Sequence, residues 1–368
     1  MSAYDQMLNV TQTRLMDARI IPPLREGAFR HMAGVFDKTG AFCQPANIKR
    51  GADYLLGTKN LRETPAKRLQ GRHLYGGQMN HHFGHFLCET LSRLWALDHL
   101  DTDMDSILFL SRRPNTPHDL QPFQTAIFDA LNLPVPVRIV SEPLIVDELI
   151  VPTQGFGVDE LGEGAPEFRD YIHRSFLPEV APEGPENLYI SRQGLSLRAG
   201  AALGETALSD NLRNAGYEEF FPEKHDIATQ VARYKAAKNI VSIEGSALHL
   251  YGFVGHKTQN AAVIVRRSDM LAANMIAAQL RTFCDITPHV LNAVTREWDI
   301  ADGPVRSSKS ISLLDIPQLG HELAQAGMLE DGAWAPATGN FDRRIARISG
   351  KTNRDYREVP LQTAPAHG

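Results

Sequence analysis

Ile240-Val241-Ser242-Ile243-Glu244-Gly245-Ser246-Ala247-Leu248-His249 reads as a buried strand, a tight turn at Gly245 and a helix capped by Ser246. A strand, a small-residue turn and a helix in that order form the repeating unit of a parallel α/β sheet. On both sides of this stretch the rhythm continues. Before it come a strand over 188–191, a helix over 205–214, a strand over 217–221 and a helix over 227–237. After it come a strand over 262–266 and a helix over 270–283. The pattern predicts a doubly wound domain over residues 186–290.

A first α/β block precedes it. Residues 107–110 read as a buried strand, 120–131 as a helix, 135–140 and 144–151 as strands, and 167–177 as a helix. Such alternation implies a mainly parallel sheet covered on both faces. Pro178, Pro182, Gly184 and Pro185 then break the pattern and mark the domain boundary, giving an N-terminal domain over 1–180. The first seventy or so residues mix short apolar runs with Pro, Gly and basic residues and place no strand firmly. Past about Leu291 the apolar density falls, so 291–368 reads as a C-terminal extension whose last ten residues are disordered.

With 43% apolar and 22% charged residues, the 368-residue chain is long enough for two ordinary domains of a globular protein. Its formal net charge of −5 argues against a nucleic-acid partner held by phosphate attraction. The opening Met-Ser-Ala-Tyr-Asp-Gln lacks the order of a secretion signal, and no run approaches the roughly 18 apolar residues of a membrane span. A cytoplasmic location is expected, with peripheral membrane contact left open. Cys43, Cys88 and Cys284 are odd in number and widely separated, which fits a reducing compartment; Cys88 reads as packing.

Two groups of residues carry chemistry. The first lies within Asn80-His81-His82-Phe83-Gly84-His85-Phe86-Leu87-Cys88-Glu89, at the start of a helix whose apolar stripe is Phe86, Leu87, Leu91, Leu94, Trp95 and Leu97. His85 and Glu89 lie four apart, share a helix face and meet the positive end of the helix dipole. An imidazole backed by a carboxylate makes a general base near neutral pH. The plainer alternative makes these histidines ordinary polar residues at a helix cap. A metal site from His81 or His82 with His85 ranks lower, because no His-Glu-x-x-His run and no third ligand are evident.

The second group lies at the strand ends of the second domain. Arg192 follows a strand and Arg198 lies six residues on, and open α/β sheets bind ligands at that edge. Two guanidinium groups suit a diphosphate, although either arginine alone reads equally as a solvated loop residue. The turn at Gly245, Ser246 and Ala247 leaves backbone N–H groups that favour an anion. Glu244 adds an acceptor for ribose or sugar hydroxyls, and its negative charge opposes direct phosphate contact there. Asp101-Thr-Asp103-Met-Asp105 has the spacing of a metal-diphosphate motif, but it precedes a strand and reads as a solvated loop.

These residues resemble glycosyltransferase family 61. Gly84-His85-Phe86 with Glu89 is similar to its aromatic-Gly-His-x-x-x-Glu signature. So is the run Ile190-Ser191-Arg192 with Arg198, Gly216-Tyr217, Pro222-Glu223, Gln230, Ala237, Val241 and Gly245-Ser246-Ala247-Leu248 with Phe253. The resemblance is close over 188–254 and looser back to about His73. Three departures stand out: Glu244 where many members have His, Leu250 where they often have Asn, and Gly204-Glu205 displaced from an Asn-Glu pair. The resemblance implies two Rossmann-like doubly wound domains facing a cleft, the GT-B type. It also implies inversion at the anomeric carbon without a bound metal or other cofactor, a nucleotide-sugar donor such as a UDP-sugar, and a glycan or glycolipid acceptor. Bacterial relatives imply surface polysaccharide assembly.

On that footing His85 is the expected base, oriented by Glu89 or alternatively His82. Arg192, Arg198 and the turn at Gly245, Ser246 and Ala247 would neutralise the leaving diphosphate, with His249 either donating to the same phosphate or simply packed. The rivals are a sugar-nucleotide or glycan-binding protein without turnover and a metal-dependent hydrolase built on the histidine cluster.

Overall fold

Two glycines shape the strand that leads into the first site. The computed structural model describes residues 10–23, 33–50, 53–56, 65–112, 119–158 and 161–362. The readings of residues 1–6 and of the tail at 363–368 lie outside the described residues. The chain divides into two compact units, Met1–Glu179 and Val180–Gly368.

The strands of unit 1 are β1 (Gln12–Ile21), β2 (Gly34–Phe36), a short pair β3 (Lys49–Arg50) and β4 (Asp53–Tyr54), β5 (Lys67–Gln78), β6 (Ser106–Leu110), β7 (Val137–Val140) and β8 (Leu144–Pro152). Its helices are α1, the three-part run over 83–99, α2 (Pro122–Ala130) and α3 (Pro166–Ser175). The main sheet has the order β2-β1-β8-β5-β6-β7. From β8 to β7 the pairings are parallel, whereas β1 and β2 add antiparallel strands at one edge. This edge departs from a doubly wound pattern, since β1 runs antiparallel to β8 and β2 antiparallel to β1.

Alternation along β6 shows how the faces are used. Leu108 and Leu110 join a core with Ile20, Val35, Ala46, Ile48 and Leu56. Phe109 points to the other face and meets Phe128 of α2, which also touches Phe86 of α1. Truncating a ring as buried as Phe86 costs about 3–5 kcal/mol. A Cβ at Gly76 would lie 2.4 Å from the Phe109 ring, and Gly77 adopts φ +97°, so both positions demand glycine. The resulting bulge shifts the register between Tyr75 and Gly77 and aims the end of β5 at α1. A second bulge, at Gly71, uses Asp105, whose carboxylate accepts from Arg72 N at 2.8 Å. That gives Asp105 of the Asp-x-Asp run a structural task.

Unit 2 holds a wholly parallel sheet of β9 (Asn187–Ile190), β11 (Glu218–Phe220), β12 (Asn239–Ile243), β13 (Asn260–Ile264) and β14 (His289–Leu291). Its order, β11-β9-β12-β13-β14, reverses direction between β9 and β12, where such sheets bind ligands. The helices are α4 (Glu205–Asn214), α5 (Ile227–Ala236), α6 (Ala247–Val254) and α7 (Leu271–Cys284). Tyr189, Val241, Ile243 and Ile264 pack against Leu208 and Leu212 of α4 on one face, with Leu319 and Leu323 of α8 (Ile316–Gln325) beside them.

Residues 291–362 are therefore part of unit 2 and not a loose appendage. β15 (Val294–Ile300), β16 (Ile311–Leu314) and β17 (Tyr356–Val359) form a second sheet, into which β10 (Ala201–Leu203) inserts beside β16. Helix α9 (Phe341–Thr352) covers it through Ile345 and Ile348, packed with Leu203, Trp298 and Ile311. The low apolar density of this region reflects polar residues taken into its interior, such as Glu297 and Asp299 on either side of Trp298 in β15, all three buried.

Candidate functional site

The α1 run starts beyond the end of β5 as one α-helical turn, Phe83–His85, widens into a π segment, Phe86–Thr90, and tightens into a 3₁₀ segment, Leu91–His99. Side chains hold the wide turn open. Thr90 Oγ1 accepts from Asn80 N at 3.0 Å and donates to Gln78 O at 2.8 Å, tying the helix to the end of β5. Ser92 Oγ donates to Glu89 O at 2.7 Å, and Arg93 donates to the carbonyls of Asn47 and Pro152. Such π insertions often mark functional sites. The regular helix expected from the apolar stripe is thus interrupted, while Phe86, Leu87, Leu91, Leu94 and Trp95 are buried as that stripe requires.

The irregular turn drives Glu89 inward, its side chain 1% exposed, and leaves the ring of His85 37% exposed. His85 Nδ1 lies 3.4 Å from Glu89 Oε2, a charge contact rather than a full hydrogen bond. The stronger partner of Glu89 is Arg50, which donates from Nε at 2.7 Å to one oxygen and from Nη2 at 2.5 Å to the other. Burial works to raise the Glu89 pKa, but His85 and Arg50 outweigh it and hold the carboxyl below its ordinary value. His82 is exposed and meets the His85 ring edge-on at 5.3 Å between centroids. Among the described residues no group of three His, Cys, Asp or Glu could hold a metal ion. Cys88 is buried, and desolvation raises its thiol well above the ordinary value, so it packs.

In unit 2 three strand ends meet at the carboxyl edge of the parallel sheet. Arg192 follows β9, Glu244 and Gly245 follow β12, and Arg266 and Arg267 follow β13. A Cβ on Gly245 would lie 2.4 Å from Arg192 Nη1, so the guanidinium rests on the turn. Glu205, at the start of α4, accepts from Arg192 N at 2.7 Å and from Tyr189 OH at 3.0 Å and fixes the strand end. Burial lowers the pKa of Arg192, opposed by the carboxylates of Glu205 and Glu244.

Glu244 is buried and takes Arg267 Nε on Oε1 at 2.7 Å. Its Oε2 is also buried and has no hydrogen-bond partner among the described residues. Behind this pair Arg266 donates to the carbonyls of Ser310 and Ser308, and burial pulls its pKa down to about 9.

Sequence reasoning named Arg198 as the second cation; the charges of Arg266 and Arg267 also act on Arg192. Arg198 is exposed on the short turn Leu197–Ala199 and does not line the cavity that Arg192 lines. Helix α6 starts at Ala247, but Ser246 makes no side-chain cap. Leu248 N and His249 N turn back to the carbonyls of Gly245 and Ser246. His249 Nδ1 lies 2.8 Å from Gln279 Oε1, while Gln279 Nε2 donates to His249 O. That amide orientation puts the ring proton on Nδ1, so a neutral His249 presents an acceptor at Nε2 and not the donor expected for phosphate. Leu250 is fully buried. Arg267 carries the same sequence signal as Arg192, a basic residue just after a strand of the same sheet. Arg50 left no signal, lying 39 residues from Glu89.

Residues 83–262 match the family model described as Glycosyltransferase 61. The match supports a glycosyltransferase of family 61, with a sugar donor and a sugar acceptor as its partners. It spans α1 and the strand ends carrying Arg192, Glu244 and Gly245. Arg50, Arg267 and all of α9 lie outside it. A search of curated proteins finds no match. No helix among the described residues is long and apolar enough to cross a membrane.

Proposed function

We propose that this protein is an inverting glycosyltransferase of the GT-B type. It moves a hexosyl or pentosyl group from a nucleotide-diphosphate sugar, UDP-linked, to a hydroxyl of a glycan or glycolipid acceptor. The setting is bacterial surface polysaccharide biosynthesis on the cytoplasmic side. The observation that carries this reading is the family match running through both built clusters, His85 with Glu89 and Arg192 with Gly245.

Unit 1 supplies the proton acceptor. With Glu89 facing Nδ1 of His85, the proton of the neutral ring sits on Nδ1 and Nε2 is the basic nitrogen. The acceptor oxygen bonds to the anomeric carbon as its proton passes to Nε2 and the bond from that carbon to the diphosphate oxygen breaks. Imidazolium forms beside a carboxylate that Arg50 keeps ionised. A base of this kind contributes on the order of 100- to 10,000-fold in rate.

Unit 2 supplies the cationic cradle. Arg192 and Arg267 neutralise the departing diphosphate together with the N–H groups of the turn at Gly245, Ser246 and Ala247, a role that needs no metal. Glu244 Oε2 accepts from a ribose or sugar hydroxyl, which gives the orphaned buried oxygen a partner.

His85→Ala should abolish transfer and leave UDP affinity near wild type. Activity within about threefold of wild type would remove His85 as the base. Arg192→Ala should weaken UDP binding, and an unchanged Kd would remove it from the donor site. A thermal-stabilisation panel of nucleotides and nucleotide sugars identifies the donor.

A further inference from the structure

Helix α9 carries Arg344, Arg347 and Lys351 at steps of three and four, which places them on one face. Ile345 and Ile348 pin the helix to the core with Leu203 and Trp298, so the direction of the cationic face is fixed. Beyond its end, Arg354 donates to Arg198 O at 3.0 Å and ties the helix to the loop after β9. Arg344, Arg347 and Lys351 border a cavity of about 310 Å³ that Arg192 and Thr206 also line.

The charge balance there is one-sided. Glu205 is the one carboxylate among the lining residues, and one of its oxygens already accepts from Arg192 N and Tyr189 OH. Asp342, the acid of α9, is taken by Arg296. Some other surface cations of this unit are matched, as Arg213 is with Asp210 and Glu219, and Arg296 with Asp342 and Glu358; what sets these three apart is that they border one cavity. Arg344, Arg347 and Lys351 have no carboxylate within ion-pair distance among the described residues. In a chain with 43 acids against 38 bases, this concentration runs against the overall balance. Like charges converging on a small concavity repel one another and focus a field that an anion relieves.

We propose that this cavity binds a diphosphate group, with Arg344, Arg347 and Lys351 of α9 closing on it opposite Arg192. The proposal rests on the donor reading only through Arg192, because α9 lies outside the matched residues 83–262. The diphosphate is that of the donor nucleotide or of a separate diphosphate ligand, which share this chemistry. A membrane surface fits less well: the apolar residues of α9 are spent on the core, leaving no face to insert.

The test compares wild type with the triple variant Arg344→Gln/Arg347→Gln/Lys351→Gln by calorimetric titration with inorganic pyrophosphate and, separately, UDP; thermal melts verify that both proteins fold. The three side chains are exposed and unpaired, so the variant should melt with wild type. Pyrophosphate should bind the variant roughly 30-fold more weakly, a few-fold for each exposed charge contact, with the difference shrinking at high salt. If UDP displaces pyrophosphate from wild type, the donor is the source; if both bind together, the ligand is separate. Loss of pyrophosphate affinity in the variant, with no UDP binding by wild type, would leave this site standing and sink the donor reading. Pyrophosphate affinity equal in the two proteins within about twofold overturns the proposal. So does loss of binding to phosphatidylglycerol vesicles with pyrophosphate affinity intact, which would make this face a membrane contact.

Discussion

Replacing Arg50 by leucine strips the buried carboxylate of Glu89 of two short hydrogen bonds and leaves only the 3.4 Å contact to His85. Removing one partner of a buried ion pair costs about 3–5 kcal/mol, because the other charge stays desolvated. The Glu89 side chain is 1% exposed but that of Arg50 is 30% exposed, so water reaches the vacated side and the lower end applies, about 3 kcal/mol. For a unit of this size that is roughly 6–12 °C in Tm.

The deficit depends on pH in a defined direction. In the wild type the Glu89 pKa is lowered on folding, so its stabilisation is fully present above the ordinary carboxylate value and is lost as pH falls through the folded value. In Arg50→Leu, burial should instead raise that pKa, and protonation relieves the penalty as pH falls. The two proteins should therefore converge in Tm between about pH 7 and pH 4. Melts by circular dichroism at several pH values measure this, with Glu89→Gln and the double variant completing a cycle. A Tm within about 2 °C of wild type at pH 7, or a deficit that does not change with pH, would refute the reasoning.

Gly245→Ala puts a methyl group 2.4 Å from Arg192 Nη1, the movable end of a side chain. Stability should fall by less than about 1 kcal/mol while UDP affinity drops about tenfold, and titration showing unchanged affinity would separate Arg192 from the donor. Gly200→Ala has no such escape, because φ is +77° and the Cβ meets the carbonyls of Ser308 and Ser310 at 2.7 Å. A loss of about 2–3 kcal/mol in denaturant unfolding is expected, and less than about 0.5 kcal/mol would contradict it. Cys43, Cys88 and Cys284 are buried with thiols raised by desolvation, so a maleimide at pH 8 should label them only after unfolding. Rapid labelling of the native protein would count against that packing.

The parallel sheet of unit 2 was legible because parallel strands buried on both faces read as short apolar runs such as Ile-Val-Ser-Ile, each followed by an amphipathic helix. The stretch up to residue 78 hid two long strands. β5 reads Lys-Arg-Leu-Gln-Gly-Arg-His-Leu-Tyr-Gly-Gly-Gln, polar over its exposed first half and broken by the bulge glycines. β1 is interrupted at Asp17, which adopts φ +52°. At the sites, His85 with Glu89 could be found because a helical step joins them, and Arg192 because a strand ends there. Arg50 and the Arg344, Arg347 and Lys351 face reach their places through tertiary packing, which local periodicity does not encode.

The widened turn at Phe86–Thr90 also governs what this chain tolerates in its length. Deleting a single residue there would let the backbone relax to regular winding and rotate the first turn, Phe83–His85, by about 100° relative to Thr90 and Arg93, which are anchored to β5 and β8. The imidazole would turn away from its carboxylate while the hydrophobic stripe beyond stayed seated. On the proposed reading, such a shortened protein would fold and lose transfer, so the spare residue would work as a spacer that sets aim and not strength.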